Sequence, residues 1–363
     1  MKVRRLFWVL LAAGLSVLAF KAIRDLRPFV KTTPLGVEGC RLLHAEGLVG
    51  AEDMEFDHAT GMLYIAAANR RSSGTGRPDP GAIFAWHPDE EATPTKLPLQ
   101  GIGEALRPHG LGLYVHPSGE RRLFVVHHSP RGEAVVIFRI DSSGAAAGPL
   151  SGRKQLLMQI RSVQAPQFVS PNDVAGVGLE SFYLTNDHGR RYGLGHVFED
   201  FALQSNASLL YFDGTSVRTV ASGLRYANGV QLSADRRHVL VAESSAYRIK
   251  TFRRDEAGNL TLLTETPLDT TPDNFSLDEQ GNFLVGAHPS PYLFLRHATS
   301  AKQHAPSDVL RFSLSAEGSP HAFQTLLRDP GERLSASSIA VAHGRHLVIG
   351  GVFDRGVLYC PRN

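Results

Sequence analysis

The chain has 363 residues, 42% of them hydrophobic, which places it among globular proteins with enough apolar material for one large core or two ordinary ones. The formal net charge is +3, but Lys2, Arg4, Arg5, Lys21 and Arg24 all fall in the first 25 residues against one acid, Asp25. The remainder is therefore close to neutral, without the basic footprint that nucleic acid or another polyanion requires.

At the N-terminus three basic residues precede Leu6 to Phe20, an apolar stretch interrupted only by Gly14 and Ser16. A basic flank followed by an apolar run is the pattern of an export signal. The run is shorter than the roughly 17–25 residues of a comfortable membrane span, yet no small-x-small cleavage site stands near Phe20. Residues 1–25 are read as an uncleaved signal anchor that meets the membrane, with a cleaved signal peptide as the alternative. The basic residues stay cytoplasmic, so residues 26–363 are expected outside the cytoplasm, either anchored or secreted or periplasmic.

From Glu52 onward one pattern recurs six times: a polar pair, alternating apolar residues, a turn, and a compact β-branched or aromatic run. The copies start at Glu52, His109, Asn172, Asn228, Asp273 and Ser337, spaced by 57, 63, 56, 45 and 64 residues. Each is a hairpin signal, and further strands such as 134–141 and 247–255 fit between copies. The period is that of a four-stranded blade with variable loops, so the expected fold is all-β, a six-bladed β-propeller over residues 26–363. The Gly/Pro-rich segment 70–81 reads as a loop. Residues 189–206 read as a long connection, either a partly helical lid over one face or an ordinary insertion.

The two cysteines, Cys40 and Cys360, lie near the two ends of this array. In an exported propeller whose termini must meet, they are expected to pair and clip the ring, although two unrelated thiols remain the alternative.

Equivalent positions of the six inner strands face one another across a propeller's channel. Asn228-Gly229 and Asp273-Asn274, taken singly, also read as turns; their common phase with Glu52 and Asn172 points to convergence. Glu52, Asn172, Asn228, Asp273 and Asn274 offer hard oxygen donors and no thiolate, which suits calcium and leaves coordination positions open for water or substrate. Asp53 and Asp173 stand beside two of these residues at matching phase, and a second, more buried calcium is expected there. By antiparallel pairing, His109 should neighbour His127 and His128, Asp187 and His188 should lie near Asn172, and His288 near Asp273. Two histidines at a metal-lined mouth suit the deprotonation of water.

The stretches AEDMEF at 51–56, RPHGLGLY at 107–114, SPNDVAGVG at 170–178, FYLTNDH at 182–188, YANGVQLSAD at 226–235, PDNFSLD at 272–278 and GAHP at 286–289 resemble the serum paraoxonase/arylesterase family, within the wider gluconolactonase-like propellers. The resemblance implies hydrolysis of lactones and aryl esters, with phosphotriesters as promiscuous substrates. It also implies a catalytic calcium on Glu52, Asn172, Asn228, Asp273 and Asn274, and a structural calcium on Asp53, Asp173 and the Leu111 carbonyl. His109 and His128 become a dyad, while Asp187, His188 and His288 fall on positions close to the site. Cys40 and Cys360 match the family's paired cysteines. His127 stands where relatives often carry asparagine, and the runs around Asn69, Arg70 and 291–297 are individual to this chain. A sugar lactonase and a non-catalytic calcium-stabilised binding propeller are the rival readings.

Overall fold

The computed structural model describes residues 16, 20–21, 23–72, 79–90, 93–143, 154–191 and 205–362. Most of the expected signal segment lies outside these residues, as do half of the loop at 70–81 and most of the connection at 189–206 with its lid reading. Among the described residues no helix is long and apolar enough to cross a membrane.

Six antiparallel sheets form the expected propeller. Blade 1 consists of Ala51–Asp57, Met62–Ala67, Ala82–Trp86 and Thr95–Lys96. Blade 2 consists of Pro108–Val115, Arg121–Ser129, Gly132–Ser143 and Lys154–Val163, with Leu99–Gln100 added parallel at its outer edge. Blade 3 consists of Pro171–Gly176, Phe182–Asn186, Ala207–Phe212 and Val217–Leu224. Blade 4 consists of Ala227–Leu232, His238–Glu243, Arg248–Arg254 and Leu260–Pro267, and blade 5 of Thr271–Leu277, Phe283–His288, Ser307–Leu314 and Pro320–Asp329. Blade 6 takes Ser337–His343, His346–Gly351 and Val357–Pro361 from the end of the chain and its outermost strand, Arg41–Leu43, from the beginning.

The alternation along each strand explains how blades stack. In blade 1, Leu63, Ile65, Phe84 and Trp86 pack against Ile339, Val341, Val348 and Val357 of blade 6. Their neighbours Tyr64, Ala66, Ile83 and Ala85 point the other way, onto Leu123, Val125, Val136 and Phe138 of blade 2. The same arrangement repeats between blades 2 and 3, 3 and 4, 4 and 5, and 5 and 6. Each fully buried Leu, Ile, Val or Phe contributes about 1.5–3 kcal/mol. A blade is therefore stable only between two others, and the ring must close.

Closure is both hydrogen-bonded and covalent. Arg41, Leu42 and Leu43 pair with Tyr359, Leu358 and Val357, and Cys40 is disulfide-bonded to Cys360 across 320 residues of sequence. Replacing both cysteines with alanine is expected to cost about 2–4 kcal/mol, read as a lower calorimetric melting temperature and faster amide exchange in residues 41–43. An unchanged melting temperature refutes a stabilising role for the bond.

Candidate functional site

Every inner strand carries a register break at the same place. The pairing to the second strand shifts between Ala51 and Asp53, Pro108 and Leu111, Pro171 and Val174, Ala227 and Val230, Pro272 and Phe275, and Ser337 and Ile339. A bulge inserts extra residues into one strand and re-aims their side chains. The residues inside these breaks include Glu52, His109, Asn172, Asp173, Asn228, Asp273 and Asn274. The bulge resolves why Asn274, one residue out of phase with Asp273, joins the same site. In blade 6 it moves the channel position from Ser337 to Ser338. Ser337 donates to the backbone oxygens of Ala287 and Asp308 in the ring wall, whereas the buried Ser338 hydroxyl has no hydrogen-bond partner.

The five oxygen donors expected from the sequence share one property. Glu52 Oε2, Asp273 Oδ1 and the Oδ1 atoms of Asn172, Asn228 and Asn274 are all buried and lack a hydrogen-bond partner. Buried polar atoms are normally satisfied, and a set of orphaned oxygens on neighbouring inner strands is one that a bound cation would satisfy. The opposite ends of these groups are held by neighbours, which for Asn274 is Glu52 within the set itself. Asn172 Nδ2 donates to Asp187 Oδ2 (3.1 Å), Asn228 Nδ2 to Ser244 Oγ (3.1 Å) and Asn274 Nδ2 to Glu52 Oε1 (2.9 Å). His288 Nε2 lies 2.8 Å from Asp273 Oδ2. These contacts fix the amide orientations and leave the Oδ1 atoms unpartnered. Among the described residues no three His, Cys, Asp or Glu side chains assemble as a metal-binding group. The donors are two carboxylates and three amides, a hard set that fits calcium better than zinc.

Asp53 and Asp173 form a second tier that also ties blades together. Asp53 accepts from Met54 N (2.9 Å) and, across to blade 2, from Leu111 N (2.6 Å). Asp173 accepts from Val174 N and, across to blade 4, from Val230 N, both at 2.7 Å. Burial raises both carboxyls well above the usual range, and for Asp53 the charge of Asp173 adds to it. Burial also pushes Glu52 upward, but whenever His109 is protonated its charge and hydrogen bond, then Arg70 and Asn274, outweigh burial and hold Glu52 below the usual carboxylate range.

Of the two adjacent histidines, one faces the site. His109 Nδ1 is 2.8 Å from His128 Nε2, and His109 Nε2 is 3.5 Å from Glu52 Oε1. His127, on the opposite face of the strand, accepts from Arg107 N at Nδ1 (3.1 Å) and approaches Glu104 Oε1 at Nε2 (3.3 Å). Asp187 accepts from Ser170 Oγ (2.5 Å) and pairs with His188 Nδ1 (2.7 Å), as well as holding Asn172.

The sequence did not single out Glu133, and it marked Arg70 and 291–297 only as substrate-lining stretches individual to this chain. Glu133 Oε2 lies 2.7 Å from His128 Nδ1. Arg70 lies 3.5 Å from Glu52 Oε2 and donates to the carbonyls of Gly50 and Pro108. Residues Pro291–Thr299 form a helix capped by Ser290, and its Phe294 packs 4.4 Å, centroid to centroid, from His288. The Ser-Pro step at 290–291 is an N-cap signal that was available. No comparable local signal marks Glu133.

The Arylesterase family profile matches residues 78–361. Serum paraoxonase/lactonase 3 of Homo sapiens is 28% identical over 362 residues, covering 97% of this chain and 98% of the relative. Serum paraoxonase/arylesterase 2 of Bos taurus is 30% identical over 286 residues, 77% of each. Among solved structures, a luciferin-regenerating enzyme covers 90% of this chain and 96% of its own with a TM-score of 0.51 and 12% identity, a likeness of fold.

Glycines let the inner strands approach closely enough to build the site. A Cβ on Gly229 would lie 2.5 Å from the Asp273 carbonyl oxygen and 2.8 Å from Asn274 Cα. Gly229→Ala is expected to lose about 1–3 kcal/mol through overpacking, lowering the melting temperature by several degrees, while Gly103→Ala, with nothing within 4 Å, is neutral. Equal melting temperatures for the two variants contradict this account.

Proposed function

The chain belongs to the arylesterase family, and from that premise we propose that it is a calcium-dependent hydrolase of lactones and aryl esters acting at the mouth of the propeller channel. The observation that carries this reading is the set of five orphaned oxygens beside the hydrogen-bonded pair His109 and His128. Glu52, Asn172, Asn228, Asp273 and Asn274 would hold the catalytic ion, and Asp53, Asp173 and the Leu111 carbonyl a second, structural one. A calcium ion held by the first five residues would supply a Lewis acid for the carbonyl oxygen of the substrate.

The chain's own groups do the proton work. His109 Nε2 takes a proton from water, and the oxygen forms a bond to the acyl carbon. The bond from that carbon to the alkoxide or phenoxide oxygen then breaks, and the proton held by the histidine pair passes to the departing oxygen. His128 stabilises the charge that builds on His109 through their 2.8 Å contact. Burial, with the Arg70 guanidinium adding to it, keeps His128 below the ordinary imidazole range despite Glu133, which favours the neutral ring. His288, Phe294 and Phe353 form one wall of the mouth, with ring centroids 4.4 and 5.5 Å apart in succession. We place the propeller outside the cytoplasm, tethered or released at its N-terminal segment, and the disulfide supports that location.

Hydrolysis of a panel of aliphatic lactones, sugar lactones and aryl esters, with chelator and calcium add-back, tests the reading. Chelation is expected to abolish turnover and calcium to restore it. A chelated protein with full activity overturns it, and selective hydrolysis of sugar lactones redirects it.

Variants separate the two functions of the site. Asn228→Ala and Asp273→Ala are expected to lose calcium binding by calorimetric titration together with activity. His109→Gln and His128→Gln are expected to lower kcat by about 10²–10⁴-fold and to keep the ion. Full activity in the double histidine variant disposes of the pair as the base.

A further inference from the structure

We infer that Glu133 is the positioning residue of the histidine pair, making it a three-membered relay in the order Glu133, His128, His109. This rests on the pair acting as the base, as proposed above. The hairpin geometry supplies the placement: strand Arg121–Ser129 turns through Pro130 and Arg131 into Gly132–Ser143, and the ladder sets His128 directly opposite Glu133. Both residues are 4% exposed, and Glu133 Oε2 sits 2.7 Å from His128 Nδ1.

The proton inventory follows from what each atom can do. An ionised carboxylate only accepts hydrogen bonds, so His128 carries its proton on Nδ1. Its Nε2 is then a lone pair, and across the 2.8 Å contact His109 donates from Nδ1. A neutral His109 is left with its lone pair on Nε2, the nitrogen that faces Glu52 and the channel. Glu133 thus fixes the tautomer of one ring directly and of the second through the first. When water gives its proton to His109 Nε2, the Nδ1 proton of His109 moves to His128 Nε2, and the resulting imidazolium lies against the Glu133 carboxylate. No proton is gained or lost beyond the one taken from water.

The groups facing His128 explain why an anion is needed there. His109 and the Arg70 guanidinium both oppose a positive charge on the ring, and so does burial; Glu133 opposes all three. Carboxylates that hold a catalytic imidazole in one tautomer act in the same way, without themselves taking the proton.

The test uses the full-length, calcium-loaded protein with an aryl acetate as substrate. Glu133→Gln keeps size and shape and removes the charge. It is expected to lower kcat by about 10–100-fold with KM within about twofold, to leave calcium binding unchanged, and to be partly rescued by Glu133→Asp. Long-range proton–nitrogen correlation spectra of histidine-labelled protein give a readout apart from activity: His128 as the Nδ1–H tautomer in the native chain, and mixed tautomers in Glu133→Gln. Native kcat in Glu133→Gln while His109→Gln is slow overturns the role of Glu133 and leaves the pair standing; native rates in both variants overturn the pair itself. Should Glu133→Gln fail to melt cooperatively, the native spectrum decides alone: an Nε2–H tautomer at His128 refutes the inference, and Nδ1–H sustains it.

Discussion

Six inner strands converging on one axis leave very little room, and that crowding governs the rest of the molecule. Where blade meets blade there is backbone on both sides. A Cβ on Gly110 would fall 2.4 Å from Asp173 Cα, and one on Gly350 would fall 2.0 Å from the Ala51 carbonyl oxygen. Water is largely excluded there, so polar groups brought to the axis must satisfy one another or take up an ion. Thr185 shows the first solution, with its hydroxyl donating to Asn228 O (2.7 Å) and accepting from Asp173 N (3.0 Å) between blades 3 and 4. The five orphaned oxygens are left without partners of that kind.

Much of this was legible because a repeat turns a local pattern into a global coordinate. Asn228-Gly229 in isolation reads as a hairpin turn; at the phase of Glu52 and Asn172 it reads as a channel position, and the structure puts it inside the inner strand of blade 4. Gly229 serves close packing there, since it does not adopt a positive φ. What the periodic reading did not supply was the bulge. Period-two alternation assigns consecutive residues to opposite faces, so it set Asn274 apart from Asp273 and chose Ser337 over Ser338. The recurrent register break removes both discrepancies at once.

Residues outside the repeat phase were harder to find for a different reason. Glu133 meets His128 only because the hairpin register places it opposite, and a shift of one residue would turn it to the other face. Arg70 reaches Glu52 from a short turn of helix following blade 1's second strand. Arg71 next to it contacts the carbonyl oxygens of His297 and Phe353. This ties the segment after blade 1 to the helix and loop on the far side of the mouth. These contacts join segments far apart in sequence, and local composition carries no trace of them. The chain's individuality at 69–71 and 291–297 is therefore concentrated where the mouth is built, while the ring beneath follows the repeat.

The outer strand of blade 6 has a consequence for how the molecule is made. Residues 41–43 emerge among the first of the propeller during synthesis, and their partners at 357–359 emerge last. Until then the face of blade 1 carrying Leu63, Ile65, Phe84 and Trp86 has no blade 6 to cover it. Maturation is thus an end-of-synthesis event: the nascent array is an open arc with sticky apolar flanks, vulnerable to association with other chains. A chain truncated shortly before Val357 would lack not a marginal tail but the piece that makes a circle out of a row.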